Sequence, residues 1–454
     1  MLGKTERIHF VGIGGIGMSG LALVYQNLKF TVSGSDIGRS DITRLLARRG
    51  IKIRYGHRAA NSADADVVVY STAVQPTNPE LVAARHRGIP VIHRGELLAE
   101  LTRIKISVCI SGTHGKTTTT SMVSEVLQAG RLSPTSVIGG IVKGKSQARV
   151  GKGEYLVCEA DESDKSFLKL LPAYAVITNI EPEHLEHYHD FEEIKESFCH
   201  FANHVPFWGC VFVGADAPGV PEIRDSIRRR VIGYGLDERA DLRALDLRRS
   251  NFGSAFRVVH QGRRMGEFTI HLPGRHNVVN SLAAIGVGLE LGIPMDQIRA
   301  ALDRFRGVHR RIECVATVRD IRIFDDYGHH PTEIAVTLQT LREYYPKRRI
   351  ISVFQPHRYT RTYYLLDRFV EAFQQADAVI VTDIYPAHES PIPGVTAAAL
   401  ARRIAARQPA VTYLPDFDRI IAFIKKTVQP GDIIVIQGAG TINRIAGRLA
   451  QEIA

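Results

Sequence analysis

The sequence has few cysteines and no long apolar run, and each absence excludes a class of protein. The five cysteines among 454 residues form no C-x-x-C pair, which argues against a disulfide framework or a cysteine zinc site. No apolar run approaches the ~18 residues of a spanning helix, so no membrane insertion is expected. The first ten residues lack the pattern of a secretion signal. We therefore expect a cytoplasmic protein with reduced, mostly buried thiols.

Charge and length set the next limits. The formal net charge is +11, but the basic residues are spread along the chain, as on solvated helix faces. Nucleic-acid binding is therefore not expected, and small anionic substrates fit the charge equally well. With 454 residues, of which 44% are hydrophobic, the chain is too long for one ordinary core and suggests two to four domains.

Alternating strand and helix patterns predict an α/β fold with parallel, doubly wound sheets. Residues 210–272 carry short alternating runs, which suggest an antiparallel addition. A helix is expected from Asn277 to Leu291, ended by Gly292. The chain divides into three successive α/β units, namely residues 1–105, 106–308 and 309–454.

A first glycine cluster follows the first strand, where backbone N–H groups and the next helix could bind a diphosphate. Asp36 ends the second predicted strand, where its carboxylate could meet a ribose hydroxyl. The pattern does not distinguish NAD from a UDP-sugar, and a structural turn remains the alternative. The candidate substrate-binding residues here are Gly14, Gly15, Ile16, Gly17 and Asp36.

A second cluster, S-G-T-H-G-K-T, lies between a strand and a helix and is typical of a phosphate loop. Lys116 would neutralise the β- and γ-phosphates, and the Thr117 hydroxyl would bind Mg²⁺. The usual first glycine is replaced by Ile110, so the loop is a variant. The candidate nucleotide-binding residues are Gly112, Thr113, His114, Gly115, Lys116, Thr117 and Thr118.

Three further clusters complete the second unit. Glu159 follows a buried strand, which suits a Mg²⁺ ligand, whereas the later acids of E-A-D-E-S-D could cap a helix. His184 suits a second metal or a phosphate, and the spacing of His184, His187 and His189 matches no common zinc site. Asn277 and Asn280, three apart on one helix face, suit an adenine, a ribose or a cap.

The third unit places polar clusters after two strands, where parallel sheets bind ligands. Cationic and imidazole groups there could bind phosphates and a carboxylate, and helix capping is the alternative. The clusters are Arg310–Arg311, Asp325 to Pro331 and Gln355 to Arg361.

In order, these motifs resemble the Mur ligases of peptidoglycan synthesis. The matching stretches are H-F-V-G-I-G-G-I-G-M-S-G, S-G-T-H-G-K-T-T-T-T, E-A-D-E-S-D, T-N-I-E-P-E-H, P-G-R-H-N-V-V-N, D-D-Y-G-H-H-P-T-E, F-Q-P-H-R-Y-T-R-T and Y-P-A-H-E-S-P-I-P-G. The resemblance implies three domains: a Rossmann-like UDP-substrate domain, a central P-loop ATPase domain and a Rossmann-like C-terminal domain.

The resemblance also implies roles for single residues. Lys116 and Thr117 match the phosphate lysine and the Mg²⁺ threonine, and Glu159 and His184 match metal-site residues. The other matches are Asn277 and Asn280 at the ATP site, Arg311 and Asp326 from the C-terminal domain, and Tyr327, His330, His357 and Arg358 around the incoming amino acid.

The implied reaction uses ATP and Mg²⁺ to activate UDP-N-acetylmuramate as an acyl phosphate, which L-alanine then attacks. His184 or His330 is the expected base for the amine. A ligase that joins a recycled peptide to the same UDP-sugar is the alternative within the family. An NAD-dependent dehydrogenase is a rival from another class, but it would leave the G-K-T-T loop unexplained. A non-catalytic nucleotide-binding protein is a second rival, and the intact loop, Glu159 and Asp326 argue against it. The enzyme is expected to be a monomer or homodimer.

Overall fold

The computed structural model describes residues 3–143, 148–408 and 410–453, and it contains three β-sheets flanked by helices. Contacts group the chain into two compact units. The first comprises Met1–Arg248, Ala255–His271 and Asn277–Gly307, and the second comprises Arg249–Ser254, Leu272–His276 and Val308–Ala454. The predicted α/β class is confirmed, while the boundaries at residues 105 and 308 stay predictions.

A five-stranded parallel sheet opens the first unit, in the order β3-β2-β1-β4-β5. Its central strands are short and apolar, and they lie between helices, so they are buried on both faces. The strands are β1 (Arg7–Val11), β2 (Thr31–Asp36), β3 (Lys52–Tyr55), β4 (Val67–Tyr70) and β5 (Val91–His93). The helices are α1 (Ile16–Asn27), α2 (Asp41–Arg48), α3 (Pro79–His86) and α4 (Arg94–Ile104).

A ten-stranded sheet follows, in the order β15-β14-β13-β12-β11-β10-β6-β9-β7-β8. Its strands are β6 (Ile106–Ser111), β7 (Thr135–Val137), β8 (Ala148–Arg149), β9 (Tyr155–Glu159), β10 (Tyr174–Ile177), β11 (Cys210–Gly214), β12 (Val231–Gly235), β13 (Leu242–Ser250), β14 (Gly253–His260) and β15 (Arg263–Ile270). The accompanying helices are α5 (Lys116–Ala129), α6 (Phe191–Asn203), α7 (Val220–Arg224), α8 (Arg275–Glu290) and α9 (Met295–Arg304).

The expected antiparallel addition is shorter than residues 210–272. Strands β11 and β12 continue the parallel sheet, because helices α6 and α7 return the chain to the same edge before each strand. Only β13, β14 and β15 follow one another through tight turns, which join antiparallel strands. At the last of these turns, Gln261 and Gly262 both have positive φ, as a two-residue hairpin requires.

The predicted C-terminal cap of α8 is confirmed. Gly292 has a φ of +68°. Its N–H donates to the carbonyl of Leu289, and the N–H of Ile293 donates to the carbonyl of Gly288. This pair of bonds satisfies carbonyls that the helix end leaves unpaired, and it needs a left-handed residue that glycine supplies without strain.

A six-stranded sheet forms the second unit, in the order β16-β17-β21-β18-β19-β20, with only β16 antiparallel to its neighbour. Helices cover both faces, so neighbours on β17 such as Ile323 and Phe324 enter different cores. The strands are β16 (Glu313–Val318), β17 (Ile321–Asp326), β18 (Ile350–Phe354), β19 (Ala378–Val381), β20 (Val411–Tyr413) and β21 (Ile433–Gln437). The helices are α10 (Pro331–Tyr344), α11 (Tyr359–Tyr364), α12 (Leu366–Glu371), α13 (Ala397–Ala405), α14 (Phe417–Thr427) and α15 (Arg444–Ile453).

Two expectations from the composition can be compared directly with the structure. All five cysteines are free, and Cys109, Cys158 and Cys210 are buried, as predicted. Within the three described stretches, no helix combines the length and apolar character that crossing a bilayer requires.

A buried carboxylate lies at the centre of the first sheet's polar contacts. Glu80 is fully buried and accepts hydrogen bonds from His9 (2.7 Å), His57 (2.9 Å), Ser35 (2.9 Å) and Asn61 (3.0 Å). Burial alone would raise the pKa of Glu80, but these four donors lower it to about 2. The sheet therefore depends on this residue being ionised.

We expect Glu80→Gln to lower the free energy of unfolding at pH 7 by about 2–3 kcal/mol, since a carboxylate with a depressed pKa stabilises the fold above its unfolded pKa. The unfolded value is near 4.5. The difference between wild type and variant should thus be constant above pH 5 and shrink as the pH falls toward 2. Urea unfolding at several pH values measures it, with Glu100→Gln, whose side chain is 40% exposed, as control. A difference that grows in acid would contradict this account.

Candidate active site

The phosphate loop takes the shape that its glycines allow. Between β6 and α5, Gly112 has a φ of +130° and Gly115 a φ of +83°. A Cβ at Gly112 would lie 2.0 Å from the Thr178 hydroxyl, and one at Gly115 would lie 2.8 Å from the Asn280 amide oxygen. Glycine is therefore needed at both positions, because the backbone has a positive φ there and a neighbouring side chain occupies the space that a Cβ would fill.

The turn after β10 is hydrogen-bonded to the phosphate loop along its length. The Asn179 side chain accepts from the His114 N–H (2.9 Å) and donates to the His114 carbonyl (3.0 Å). The Thr178 hydroxyl donates to the same carbonyl (2.6 Å), and the Thr113 N–H donates to the Asn179 carbonyl (3.1 Å). These bonds set the loop conformation without a ligand.

Lys116 lies inside this loop as a paired cation. Its ammonium contacts Glu162 at 2.7 Å and donates to the carbonyls of Gly112 (2.6 Å) and Thr113 (3.2 Å). Burial opposes the charge, yet Glu162 and Asp161 raise the pKa of Lys116. The second carboxylate oxygen of Glu162 is buried without a hydrogen-bond partner among the described residues. An incoming phosphate could therefore replace Glu162 as the partner of Lys116.

The structure gives a different partner to each acid of the E-A-D-E-S-D stretch. Glu159 accepts from the Gly139 N–H (2.6 Å), and the Thr117 side chain is also hydrogen-bonded to it. Burial raises the pKa of Glu159, against these bonds and Lys116. Asp161 pairs with Arg94 (2.6 Å), while Asp164 accepts from the Ser166 N–H (3.0 Å), just before a short 3₁₀ helix whose N-cap residue is Lys165.

The paired asparagines of α8 lie beside the loop. Asn277 and Asn280 are both buried, and the Asn280 amide donates to the Asn277 side-chain oxygen (3.3 Å). Because Asn280 approaches Gly115, the structure brings this predicted pair to the N-terminus of α5.

The histidines of this segment differ in how exposed they are. His184 is part-buried with a positive φ of 58°, and its ring lies 3.5 Å from Glu186 and 3.8 Å from Glu183. Its charge also acts on Glu162, so it belongs to the same polar cluster as Lys116. His187 and His189 are exposed.

The first glycine turn is closed by Asp36. The Asp36 carboxylate accepts the Gly14 N–H (2.8 Å), and a Cβ at Gly14 would lie 2.7 Å from it. Gly15 precedes α1, whose first turn contains Ile16 and Gly17. Asp36 thus orders the turn, and its predicted contact with a ribose stays a prediction.

In the second unit, two arginines lie against one tyrosine. The guanidinium groups of Arg310 and Arg311 lie 4.9 Å and 5.3 Å from the centre of the Tyr327 ring. Arg311 contacts Glu333 at 3.4 Å. Burial opposes its charge, but Glu333 and Asp326 raise the pKa of Arg311. This set lies at the carboxyl end of β17, where the sequence predicts anion contacts.

Asp326 is almost fully enclosed. Its carboxylate accepts the N–H groups of Ile312 (2.8 Å) and Gly328 (2.9 Å) and the Thr337 hydroxyl (3.2 Å). Through the bond to Ile312, Asp326 helps to hold the Arg310–Ile312 segment in place. The neighbouring Asp325 lies 3.4 Å from Arg310, and burial raises its pKa to about 6.

The other predicted residues of the second unit lie at neighbouring strand ends. His330 is buried at the N-cap of α10, where its ring accepts the Thr332 N–H (3.3 Å). His357 follows β18 and stacks on Tyr385 with ring centres 5.5 Å apart. Arg358 has a φ of +70° and lies 3.9 Å from Glu389.

Several residues of this site were missed in the sequence. Thr178 and Asn179 shape the phosphate loop, and Glu162 pairs with its lysine. The signal for the first two was their position directly after a buried parallel strand, on the edge where the loop lies. The partners Arg94 and Asp161, 67 residues apart, carried no comparable signal.

A phosphate loop, a carboxylate at the next strand end and three α/β sheets together define a nucleotide-dependent, multidomain enzyme. Three family models match the chain: "Mur ligase family, catalytic domain" at residues 7–105, "Mur ligase middle domain" at 110–288 and "Mur ligase, glutamate ligase domain" at 310–440. The chain belongs to the Mur ligase family, whose members are ATP-dependent ligases with three domains.

Individual relatives extend along the whole chain. UDP-N-acetylmuramate–L-alanine ligase of Desulfatibacillum aliphaticivorans is 50% identical over 447 residues, 98% of each chain. The solved UDP-N-acetylmuramate–alanine ligase of Thermotoga maritima matches with a TM-score of 0.83 at 31% identity, covering 98% of each chain. A murein peptide ligase of Psychrobacter arcticus shares the fold, with a TM-score of 0.72 at 24% identity over 99% of this chain and 98% of its own.

We expect Gly115→Ala to weaken ATP binding at least about tenfold, because the added Cβ would both strain a positive φ and press Asn280 away from the loop. Gly292→Ala is the matched control, since its φ is also positive but nothing lies within 4 Å of its Cβ position. Calorimetric titration with an ATP analogue compares the two proteins. Equal affinities in both variants would contradict the role assigned to Gly115 in the loop.

Proposed function

We propose that the protein joins L-alanine to the lactyl carboxylate of UDP-N-acetylmuramate, using ATP and Mg²⁺. The observation that carries this proposal is the 50% identity, over nearly the full length of both chains, to a relative of that name. The ordered phosphate loop with its buried lysine supports the ATP part. Ligation of a recycled peptide to the same UDP-sugar is the alternative and is not favoured, because the murein peptide ligase that matches is 24% identical and shares the fold alone.

The residues present fit a magnesium ion at the phosphate loop. The Thr117 hydroxyl and the Glu159 carboxylate are in hydrogen-bond contact and supply the oxygen ligands that Mg²⁺ prefers. We propose these two as ligands and His184 as a further contact. When bound there, the ion would offset charge on the transferred phosphoryl group.

Lys116 and the loop amides would bind the triphosphate. The proposed exchange of Glu162 for phosphate would keep the ammonium paired throughout, so its charge is never left buried alone. The N–H groups of residues 115–118, at the end of the loop and in the first turn of α5, would face phosphate oxygens, while those of Thr113 and His114 stay bonded to Asn179. Asn277 and Asn280 would contact the adenosine part.

Phosphoryl transfer to the carboxylate would give an acyl phosphate and ADP. Attack by the alanine amine on the acyl carbon would then break the bond to phosphate and form the amide. The amine must first lose a proton, for which His184 or His330 is the proposed base. Arg311 and Asp326 would act at the nucleotide, and Tyr327, His357 and Arg358 around alanine.

The first glycine turn is the proposed site of the UDP part. The N–H groups of Ile16 and Gly17, in the first turn of α1, suit a diphosphate. Gly14 and Gly15 would shape the turn, since their own N–H groups bond to Asp36 and to the Gly12 carbonyl. The turn does not by itself distinguish uridine from other nucleosides. The substrate assignment therefore rests on the full-length similarity to the named relatives.

Phosphate release by purified protein with ATP, Mg²⁺ and UDP-N-acetylmuramate tests the substrate directly. We expect release when L-alanine is added and none with L-alanyl-γ-D-glutamyl-diaminopimelate. Release only with the tripeptide would assign the recycling reaction instead. Release with neither, from protein that still binds ATP, would refute both candidates.

Lys116→Ala should lower kcat at least about 100-fold, because a preorganised charge at the transferred phosphoryl group is lost. The fold should persist, since the hydrogen bonds from Thr178 and Asn179 to the loop do not involve the ammonium. Lys425→Ala is the control, as this lysine forms an exposed ion pair with Glu452. Normal turnover by Lys116→Ala would refute the phosphate assignment.

A further inference from the structure

One arginine joins the first glycine turn to the acidic segment of the phosphate-loop domain. Arg94 is the first residue of α4, directly after β5. One guanidinium nitrogen, Nη2, donates to Asp161 at 2.6 Å. The other, Nη1, lies against Gly17, where a Cβ would be only 3.2 Å away. The side chain therefore reaches α1 and the E-A-D-E-S-D stretch at once.

The surroundings fix Arg94 in this position. A Cβ at Gly95 would lie 2.5 Å from the Cβ of Ser166, so only glycine lets α4 approach the acidic segment this closely. His93 contacts Asp164 at 3.5 Å and accepts the Gly95 N–H at 3.2 Å. The first turn of α4 is thus attached to that segment on both sides of Arg94.

Arg94 stays charged although its side chain is only 23% exposed. Burial opposes ionisation, but Asp161 and Asp164 raise the pKa of Arg94. Arg94 and Lys116 in turn lower the pKa of Asp161, despite its burial. The pair is therefore ionised on both sides, and neither group can titrate away in the neutral range.

Arg94 retains donors for a ligand. A guanidinium has five N–H donors, and in residues 3–143, 148–408 and 410–453 only the bond to Asp161 uses any of them. The remaining donors lie next to the first turn of α1, whose N–H groups have no carbonyl partner within the helix. A forked cation beside such a turn matches the shape and charge of a phosphate group.

We propose that Arg94 binds the diphosphate of the UDP-sugar substrate while Asp161 keeps the guanidinium aligned with the phosphate-loop domain. The inference rests on the proposed function and extends it. Arg94 would thereby place the sugar nucleotide at a fixed distance from Lys116. The role differs from that of the glycines, which admit the anion but carry no charge.

The test is the affinity of the ATP-free protein for UDP-N-acetylmuramate, UDP and uridine, measured by calorimetry and by competition. Arg94→Ala should lower the affinity for UDP-N-acetylmuramate and for UDP by the same factor, about 10–100-fold, which is the range for a charged hydrogen bond. The affinity for uridine should not change. Arg94→Lys, which keeps the charge but loses the fork, should lie between. Arg103→Ala, an exposed arginine of the same helix, is the matched control.

The outcomes separate the inference from the proposed function. If wild-type protein binds neither UDP nor UDP-N-acetylmuramate, the proposed function is wrong and the inference fails with it. If wild type binds both and Arg94→Ala binds them equally well, only the inference is wrong. An equal loss of affinity for all three ligands, uridine included, would show that Arg94 has a purely structural role and would also overturn the inference.

Discussion

The bonds from Thr178 and Asn179 to His114 are the contacts on which the first unit's chemistry depends. A phosphate loop directs part of its backbone N–H groups toward a ligand, so those groups cannot also hold the loop together. Here the neighbouring strand turn supplies the missing partners, with four hydrogen bonds between 2.6 and 3.1 Å. Gly112 has to be a glycine for the same reason, because Thr178 occupies the space of a side chain.

Charge compensation follows from that loop geometry. Lys116 and Arg94 meet the three acids Glu159, Asp161 and Glu162 at adjoining strand ends. The acids exceed the bases by one, which favours an added cation, and each base already has a carboxylate partner. Binding a triphosphate with its metal would therefore rearrange existing ion pairs and would not bury new, isolated charges.

Much of this could be predicted from the sequence because the signals are local. The phosphate loop, Glu159 at a strand end and the Asn277–Asn280 pair each depend on a few adjacent residues and on strand–helix order. The partners of these groups come from distant parts of the chain. Arg94 meets Asp161 and Asn179 meets His114 only because the strands β5, β6, β9 and β10 end where they do.

One other difference has the same origin. The antiparallel addition was predicted to begin at residue 210, although short alternating runs also occur in parallel strands when helices separate them. The sequence also did not indicate that the Asp36 carboxylate bonds to the Gly14 N–H. Its contact with a ribose stays a prediction.

Isotope transfer from the sugar nucleotide tests the central claim, that the phosphate loop transfers a phosphoryl group to a carboxylate. UDP-N-acetylmuramate labelled with ¹⁸O in its lactyl carboxylate would be converted with unlabelled ATP and L-alanine, and the released phosphate analysed by mass spectrometry. The account predicts one ¹⁸O atom in each phosphate formed from fully labelled substrate, because the carboxylate oxygen leaves with the phosphoryl group. Unlabelled phosphate accompanied by amide formation would contradict it.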